Sequence, residues 1–361
     1  MRQKELFDGT KVPAIWQGGG GIPNTNLHKQ VKVWIEGIRF GCNAIDTAER
    51  YGNGTSELVV GEVLKKVNRK DVFVATKVAP ENLTGPELVR ACKQSLKRLD
   101  TDYIDLYQIH WNNPNVPLEQ ALNTMMELRD EGKIRHIGVC NFTLPQIEEC
   151  WQILNGELAT VQMEYNLVNR LCERDIIHYC ENEGVLFLGY SPLRIIERKQ
   201  ATLMTIALKY RRTVAQVILN WLTSTLNISV IARTTSLKHI IENAQATEFE
   251  LDIEDVVKIN ESYKQQVMKI KPTLISCEHS KSGIEGNVPA YKTIEEATEN
   301  KFNQQPSPLE LAKEIAVTKT LSKPVFVRRR EDGYELVGGS VRYWAWVLAF
   351  GMDEDVECVI T

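Results

Sequence analysis

VFVATKVAPENLTGPELVRACKQSLKRLDTDYIDLYQIH, residues 72–110, decides the fold. Its two ends, VFVATKV (72–78) and IDLYQIH (104–110), are short apolar runs with a polar residue, Lys77 or His110, at or next to the close. Between them Leu88, Ala91, Leu96 and Leu99 fall near one face of LVRACKQSLKRL, the spacing of an amphipathic helix. Strand, helix and strand make a βαβ unit, whose two strands run parallel with a right-handed crossover.

The same unit repeats outward through residues 38–245. Further strand-like runs stand at CNAID (42–46), IRHIGVCN (134–141), TVQMEYN (160–166), VLFLGYSP (185–192) and ISVIART (228–234), and an earlier one near VPAIWQGG (12–19). Helical segments lie between them, and ALNTMMELRDEGK stops at Gly132 after charged residues. About eight strands alternating with helices favour a closed (β/α)8 TIM barrel over an open sheet. Nearly continuous apolar strands suit a parallel sheet covered on both faces. The 361 residues exceed a barrel of roughly 250 and leave room for a small extra module.

Polar residues gather where the runs end: Asp46, Lys77, His110, Asn141, Gln162, Ser191 and Arg233. In a barrel those ends share one mouth, so residues distant in sequence converge there. Carbonyl reduction needs a proton donor within hydrogen-bond reach of the carbonyl oxygen. A phenol near pKa ~10 is a weak donor at neutrality, and a nearby ammonium stabilises its phenolate. Tyr51, Lys77 and Asp46 therefore form a coherent acid unit, with the ammonium expected to lower the phenol pKa. His110 is expected to orient the carbonyl. His136 and His178 match no such position and are read as surface residues.

Bulk composition sets outer bounds. Apolar residues make up 43% and charged residues 25%, ordinary for a well-cored globular protein, and the net charge of −4 gives no general reason to expect nucleic acid or an anionic membrane. MRQKELFDGTKVP has no apolar core of a secretory signal, and no run of about 18 apolar residues exists to span a bilayer. The eight cysteines form no CxxC pair and read as reduced, mostly buried thiols, so a cytoplasmic location is expected. Cys277 and His279 are close in sequence, but two ligands do not make a zinc site, and no metal is expected.

IDTAERYGNG, ATKV, DLYQIHW, GKIRHIGVCNF, VQMEYNLVNR, GYSPL and IENAQA, in this order, resemble the aldo-keto reductase superfamily over roughly residues 5–262. The short segment after SPL resembles the compact bacterial branch. The resemblance implies that Tyr51 is the general acid, Lys77 and Asp46 its tuning pair, and His110 the substrate orienter. It implies that Asn141 and Gln162 bind the nicotinamide carboxamide, that Tyr190 stacks on the nicotinamide, and that Ser191 and Leu193 contact the pyrophosphate region. Arg233, Thr234, His239 and Asn243 resemble the segment that grips the adenosine end. Arg233 stands where the family often has lysine beside a 2′-phosphate, which favours NADPH, with NADH as the alternative.

Two departures bear on the substrate, a small carbonyl or alcohol compound. In AIWQGGGGIPN (14–24), Gly19 and Gly20 replace a threonine and an aromatic residue common in relatives. Gly19 and Gly20 are expected among the cofactor-binding residues, and three readings of the stretch stay open: a wider substrate pocket, backbone amides that approach an anionic group, or a flexible loop. Cys140 stands where serine is commoner before Asn141.

Past residue 262 the pattern changes. Residues 263–296 read as a linker between a barrel at 1–262 and a small α+β domain at 297–361. PSPLELAKEIAVTKTL reads as a helix, KPVFVRRREDGYELVGG as a hairpin turning at Asp332-Gly333, SVRYWAWVLAF as a helix and DVECVI as a strand. These segments resemble the ParB-like and sulfiredoxin-like fold. Gly339, Ser340 and Arg342 fit its phosphate-binding turn, which implies ATP or CTP as ligand. DNA binding is not expected, because no helix-turn-helix follows. Besides the reductase, two alternatives are carried: a bifunctional enzyme whose second domain binds a nucleotide or phosphorylates a metabolite, and a non-catalytic nucleotide sensor. The sequence leaves oligomeric state unknown.

Overall fold

The computed structural model describes residues 1–22, 27–194, 200–224, 227–277, 291–304, 306–321 and 325–360. Pro23 and Asn24 of the glycine-rich stretch, the segment 195–199 after SPL, His279, and Lys323 with Pro324 lie outside the described residues. The chain divides into two compact units, Met1–Tyr263 and Lys264–Thr361.

The first unit opens with β1 (Gln3–Glu5) and β2 (Lys11–Pro13), an antiparallel hairpin. Then follow β3 (Ile15–Gly18), α1 (Leu27–Arg39), β4 (Ala44–Asp46), α2 (Thr55–Leu64), β5 (Phe73–Val78), α3 (Gly85–Leu99), β6 (Ile104–Ile109), α4 (Leu118–Asp130), β7 (Ile134–Cys140), α5 (Leu144–Ile153) and β8 (Leu158–Glu164). The unit ends with α6 (Ile176–Asn182), β9 (Leu186–Tyr190), α7 (Gln200–Tyr210), α8 (Val214–Thr223), β10 (Ile228–Ala232), α9 (Leu237–Ala244) and α10 (Ile253–Ser262). Strands β3 to β10 close into a barrel in chain order, each parallel to its neighbours. This is an eight-stranded (β/α)8 barrel.

Helix boundaries follow local chemistry. Pro86 sits in the first turn of α3, where its missing N–H costs nothing, and Asp100 ends the helix in the left-handed region at φ 52°. Thr143 with Gln146, and Thr213 with Gln216, make capping boxes at the starts of α5 and α8.

The strands alternate between two cores. Ile15, Ile45, Val74, Phe187 and Val230 face the helices, whereas Trp16, Ala44, Phe73, Ala75, Leu186, Leu188 and Ile231 belong to a separate inner cluster. Leu6 and Val12 join that inner cluster, so the hairpin closes the barrel from below. The expected first strand, 12–19, is thus split: Val12 and Pro13 pair within the hairpin, and only Ile15–Gly18 enters the barrel. Trp16 Nε1 donates to Pro13 O at 2.8 Å and fixes the bend between them. His136 is a second correction. It is buried under the hairpin, with Nδ1 2.8 Å from Asp105 O and Nε2 3.0 Å from Asp8 Oδ2. His178 is an exposed helix residue as read.

In the second unit the stretch read as a linker supplies two strands, β11 (Gln266–Ile270) and β12 (Ile275–Ser276). They join β13 (Val325–Arg330), β14 (Gly333–Gly338) and β15 (Val356–Ile360) in the sheet order β11-β15-β13-β14-β12. Helices α11 (Ile294–Thr298), α12 (Pro308–Thr318) and α13 (Ser340–Phe350) complete the unit. Its core holds Ile270, Val325, Val327, Leu336, Tyr343, Trp344 and Val356. The buried aromatic tips are satisfied, with Tyr343 Oη donating to Pro272 O at 3.1 Å and Trp344 Nε1 to Tyr291 O at 2.9 Å. The hairpin turns one residue earlier than expected: Arg330 pairs with Gly333, leaving Glu331 and Asp332 as the loop. Gly333, at φ 140°, runs so close to Leu274 that a Cβ would lie 2.7 Å from its carbonyl oxygen. Among the described residues no helix is long and apolar enough to cross a membrane.

Candidate active site

Alternation carries the acid unit into the barrel. Phe73, Ala75 and Lys77 share one parity of β5, as Ala44 and Asp46 do of β4, so the two charged residues extend the inner face at its upper end. Lys77 is fully buried and Asp46 is 3% exposed. The Lys77 ammonium donates to Asp46 Oδ1 and Oδ2, both at 2.7 Å, and to Thr47 O at 2.8 Å. It also lies 3.4 Å from the Tyr51 hydroxyl. Burial opposes its charge, but the Asp46 carboxylate more than offsets this and holds Lys77 protonated well above the usual lysine range. Thr47, whose carbonyl completes the ammonium shell, was not among the sequence-derived candidates. No sequence signal marks a backbone acceptor.

The expected lowering of the Tyr51 pKa is not found. Burial pushes the phenol up to about 12; Lys77 pulls it down and Asp46 opposes Lys77. The reason is burial first, and the Asp46 carboxylate that clasps the ammonium then offsets part of its pull on the phenol. The Tyr51 phenol is therefore the protonated species at neutral pH.

His110 follows β6 directly and stands edge-on to Tyr51, with ring centroids 5.5 Å apart at 81°. Trp111 stacks on its other side at 3.7 Å. Asn141 follows β7 in the left-handed region at φ 61°, donates to His110 O at 3.1 Å and accepts from Tyr190 Oη at 2.8 Å. Gln162 on β8 donates to Asp46 Oδ1 at 2.9 Å. These bonds make two groups: Tyr51, Lys77, Asp46 and Gln162 in one, and His110, Asn141 and Tyr190 in the other. Cys140 donates to Gln108 Oε1 at 3.6 Å.

The remaining expected residues rim the mouth. Ser191 follows β9 at φ 54°, exposed, with Leu193 half-buried two residues on. Arg233 follows β10 and is exposed; its Nη1 donates to Gly20 O at 3.2 Å and Gly21 O at 2.6 Å. Thr234 accepts from Ser236 N at 3.1 Å, and Ser236 caps α9, the helix that carries exposed His239 and buried Asn243. Arg194 was missed. It bonds the buried Glu164 carboxylate at 2.6 Å, at the upper end of β8, and its Nη2 is buried with no hydrogen-bond partner among the described residues. Its position just after SPL is the signal that could have found it.

Chemically the donor set suits a nicotinamide dinucleotide. Two side-chain amides border a phenol and an ammonium, and each amide has more donor and acceptor capacity than these bonds use. An aromatic face from Tyr190 and an exposed guanidinium from Arg233 flank them.

Comparison with known proteins agrees in extent. The model of the Aldo/keto reductase family matches residues 16–264. Methylglyoxal reductase YeaE of Escherichia coli (strain K12) is 35% identical over 274 residues, which is 73% of this chain and 96% of that protein. The thermostable aldo-keto reductase Tm1743, solved with the inhibitor epalrestat, is 36% identical with TM-score 0.70, covering 73% of this chain and 100% of that one. An aldo-keto reductase from Klebsiella pneumoniae solved with NADPH is 30% identical with TM-score 0.69, covering 73% of this chain and 96% of that one.

Proposed function

The chain belongs to the aldo/keto reductase family, and from that premise we propose that its barrel mouth reduces small carbonyl compounds with NADPH, Tyr51 being the proton donor. It is an NAD(P)H-dependent oxidoreductase acting on carbonyl groups. The observation that carries the residue roles is the Lys77 ammonium, held by both Asp46 oxygens and 3.4 Å from the Tyr51 hydroxyl.

A bound nicotinamide supplies the hydride. Asn141 and Gln162 would hold its carboxamide, Tyr190 would lie against the ring, and Ser191 and Leu193 would border the pyrophosphate. Arg233, Thr234, His239 and Asn243 would take the adenosine end. Arg233 spends one nitrogen on the Gly20 and Gly21 carbonyls. A guanidinium has five N–H donors, so capacity remains for a 2′-phosphate, which supports NADPH over NADH. Tyr51 donates its proton as charge builds on the carbonyl oxygen. The phenolate forms beside the Lys77 ammonium, and Asp46 keeps that ammonium in place. His110 orients the carbonyl edge-on to the phenol. Methylglyoxal, the substrate named for the Escherichia coli relative, is the first compound to try.

The test is NADPH oxidation with methylglyoxal. Tyr51→Phe is expected to cut turnover by about 10²- to 10⁴-fold while NADPH still quenches or shifts the protein fluorescence. Undiminished turnover in Tyr51→Phe would remove the acid role.

A second reading concerns residues 264–361 as a ParB-like or sulfiredoxin-like nucleotide module. It is favoured by Gly339, left-handed at φ 81°, which opens the 11-residue α13 with Arg342 in the first turn. ATP or CTP would sit at Gly339, Ser340 and Arg342. Against it, the Ser340 hydroxyl already donates to Tyr291 O at 3.4 Å. Calorimetric titration of the full chain with ATP and CTP decides; no heat with either ends this reading.

A further inference from the structure

The turn that follows β9 is held in a conformation its sequence does not favour. Ser191 lies in the left-handed region at φ 54°, where a residue other than glycine is uncommon. Such a conformation persists only where its surroundings fix it. Here Arg194 fixes it from its backbone and from its side chain. Its backbone N donates to Ser191 O at 3.4 Å and closes the turn. Its Nη1 reaches across to β8 and donates to Glu164 Oε1 at 2.6 Å.

That pair is largely buried, its side chains 16% and 3% exposed. Asn166 Nδ2 also donates to Glu164 Oε1, at 3.3 Å, so the carboxylate is steadied from its own side as well. An apolar pair of similar volume commonly packs as stably as a buried ion pair, so stability alone does not account for the charges. The bond joins two segments of the mouth. Glu164 stands two residues beyond Gln162 on β8, on the same side of the strand, and is the register partner of Tyr190 on β9. Arg194 directly follows Leu193. Gln162, Tyr190, Ser191 and Leu193, all assigned to the dinucleotide, therefore lie on the two segments that this bond ties together.

We propose that Arg194 is a positioning residue for the cofactor: clamped to Glu164, it holds Ser191 and Leu193 in the form that receives the pyrophosphate before the dinucleotide arrives. It acts through the turn, since its Nη1 is taken by Glu164 and its Nη2 is buried. The inference rests on the barrel mouth binding NADPH. A turn released from this tie must be ordered anew at each binding event, so its loss falls on cofactor affinity and not on the chemical step. NADPH and NADH share the pyrophosphate, so both weaken alike and the preference between them stays.

The experiment titrates NADPH and NADH into the full chain by protein fluorescence, in the wild type, in Arg194→Met, in Glu164→Gln and in the double variant. Stopped-flow reduction of methylglyoxal at saturating NADPH is measured beside it. Unfolded protein lowers the amplitude of such a titration and leaves its midpoint, so poor folding does not imitate weaker binding. In Arg194→Met both Kd values are expected to rise by one common factor of about 10- to 100-fold, with the stopped-flow rate unchanged. The double variant is expected to bind no more weakly than Arg194→Met, because two partners of one tie are not additive. Unchanged Kd values in Arg194→Met overturn the proposal. So does a loss confined to NADPH, which would place the effect at the 2′-phosphate. A wild type that binds neither cofactor removes the NADPH reading itself and this inference with it.

Discussion

At the scale of single residues, the phenol governs pH behaviour. Reduction needs Tyr51 protonated, and its pKa is raised to about 12, chiefly by burial. The acid form is therefore present at neutral pH and is lost only as pH rises towards that value. Reduction is expected to hold a plateau to at least pH ~9, while alcohol oxidation, which needs the phenolate, climbs about tenfold per pH unit over the same range. Stopped-flow rates in both directions check this; an alkaline fall in the reduction step centred near pH ~8 would mean the ammonium acidifies the phenol after all. The sequence made the partners legible, because Asp46, Lys77 and His110 each close an apolar run. It could not reveal the sign of the shift on Tyr51, since a motif counts charges and says nothing of burial or of how fully two charges cancel.

At the scale of elements, α2, α3 and β5 meet through one buried carboxylate. Glu57 on α2 is wholly buried, accepts from Thr76 Oγ1 of β5 at 2.7 Å and from Arg98 Nε of α3 at 2.6 Å. The helices close tightly here: a Cβ on Gly61 would lie 2.8 Å from Arg98 O. Arg98→Ala would strand the carboxylate, and urea denaturation is expected to show a loss of about 3–5 kcal/mol. A loss under ~1 kcal/mol would mean the pair is not desolvated as placed. None of this was legible beforehand, because Glu57 and Arg98 look like solvated helix residues until the helices are docked. The segments missed outright have a similar cause. The hairpin strands β1 and β2 are three residues each, too short to show a period, and β11 buries only Ile270 in a mostly exposed run. The longer runs, β5 to β8, were legible because every position of β5, β6 and β8 is buried.

Across the whole molecule, all eight cysteines are buried thiols with no disulfide among them. Burial pushes Cys42, Cys92, Cys277 and Cys358 up to about 12, so their thiols are protonated and poor nucleophiles at neutral pH. A disulfide reagent such as DTNB is expected to titrate fewer than about one thiol quickly in the native protein and all eight in denaturant; several fast native thiols would contradict this packing. One contact reaches across the entire first unit. In the closed order, β4 and β8 stand four places apart, on opposite walls, yet Gln162 reaches Asp46. The oxygen that steadies the ammonium is thereby also a cross-brace spanning the full width of the cylinder. Any distortion that makes the ring oval must stretch this tie, so the chemistry at the rim is bound to the roundness of the wall beneath it.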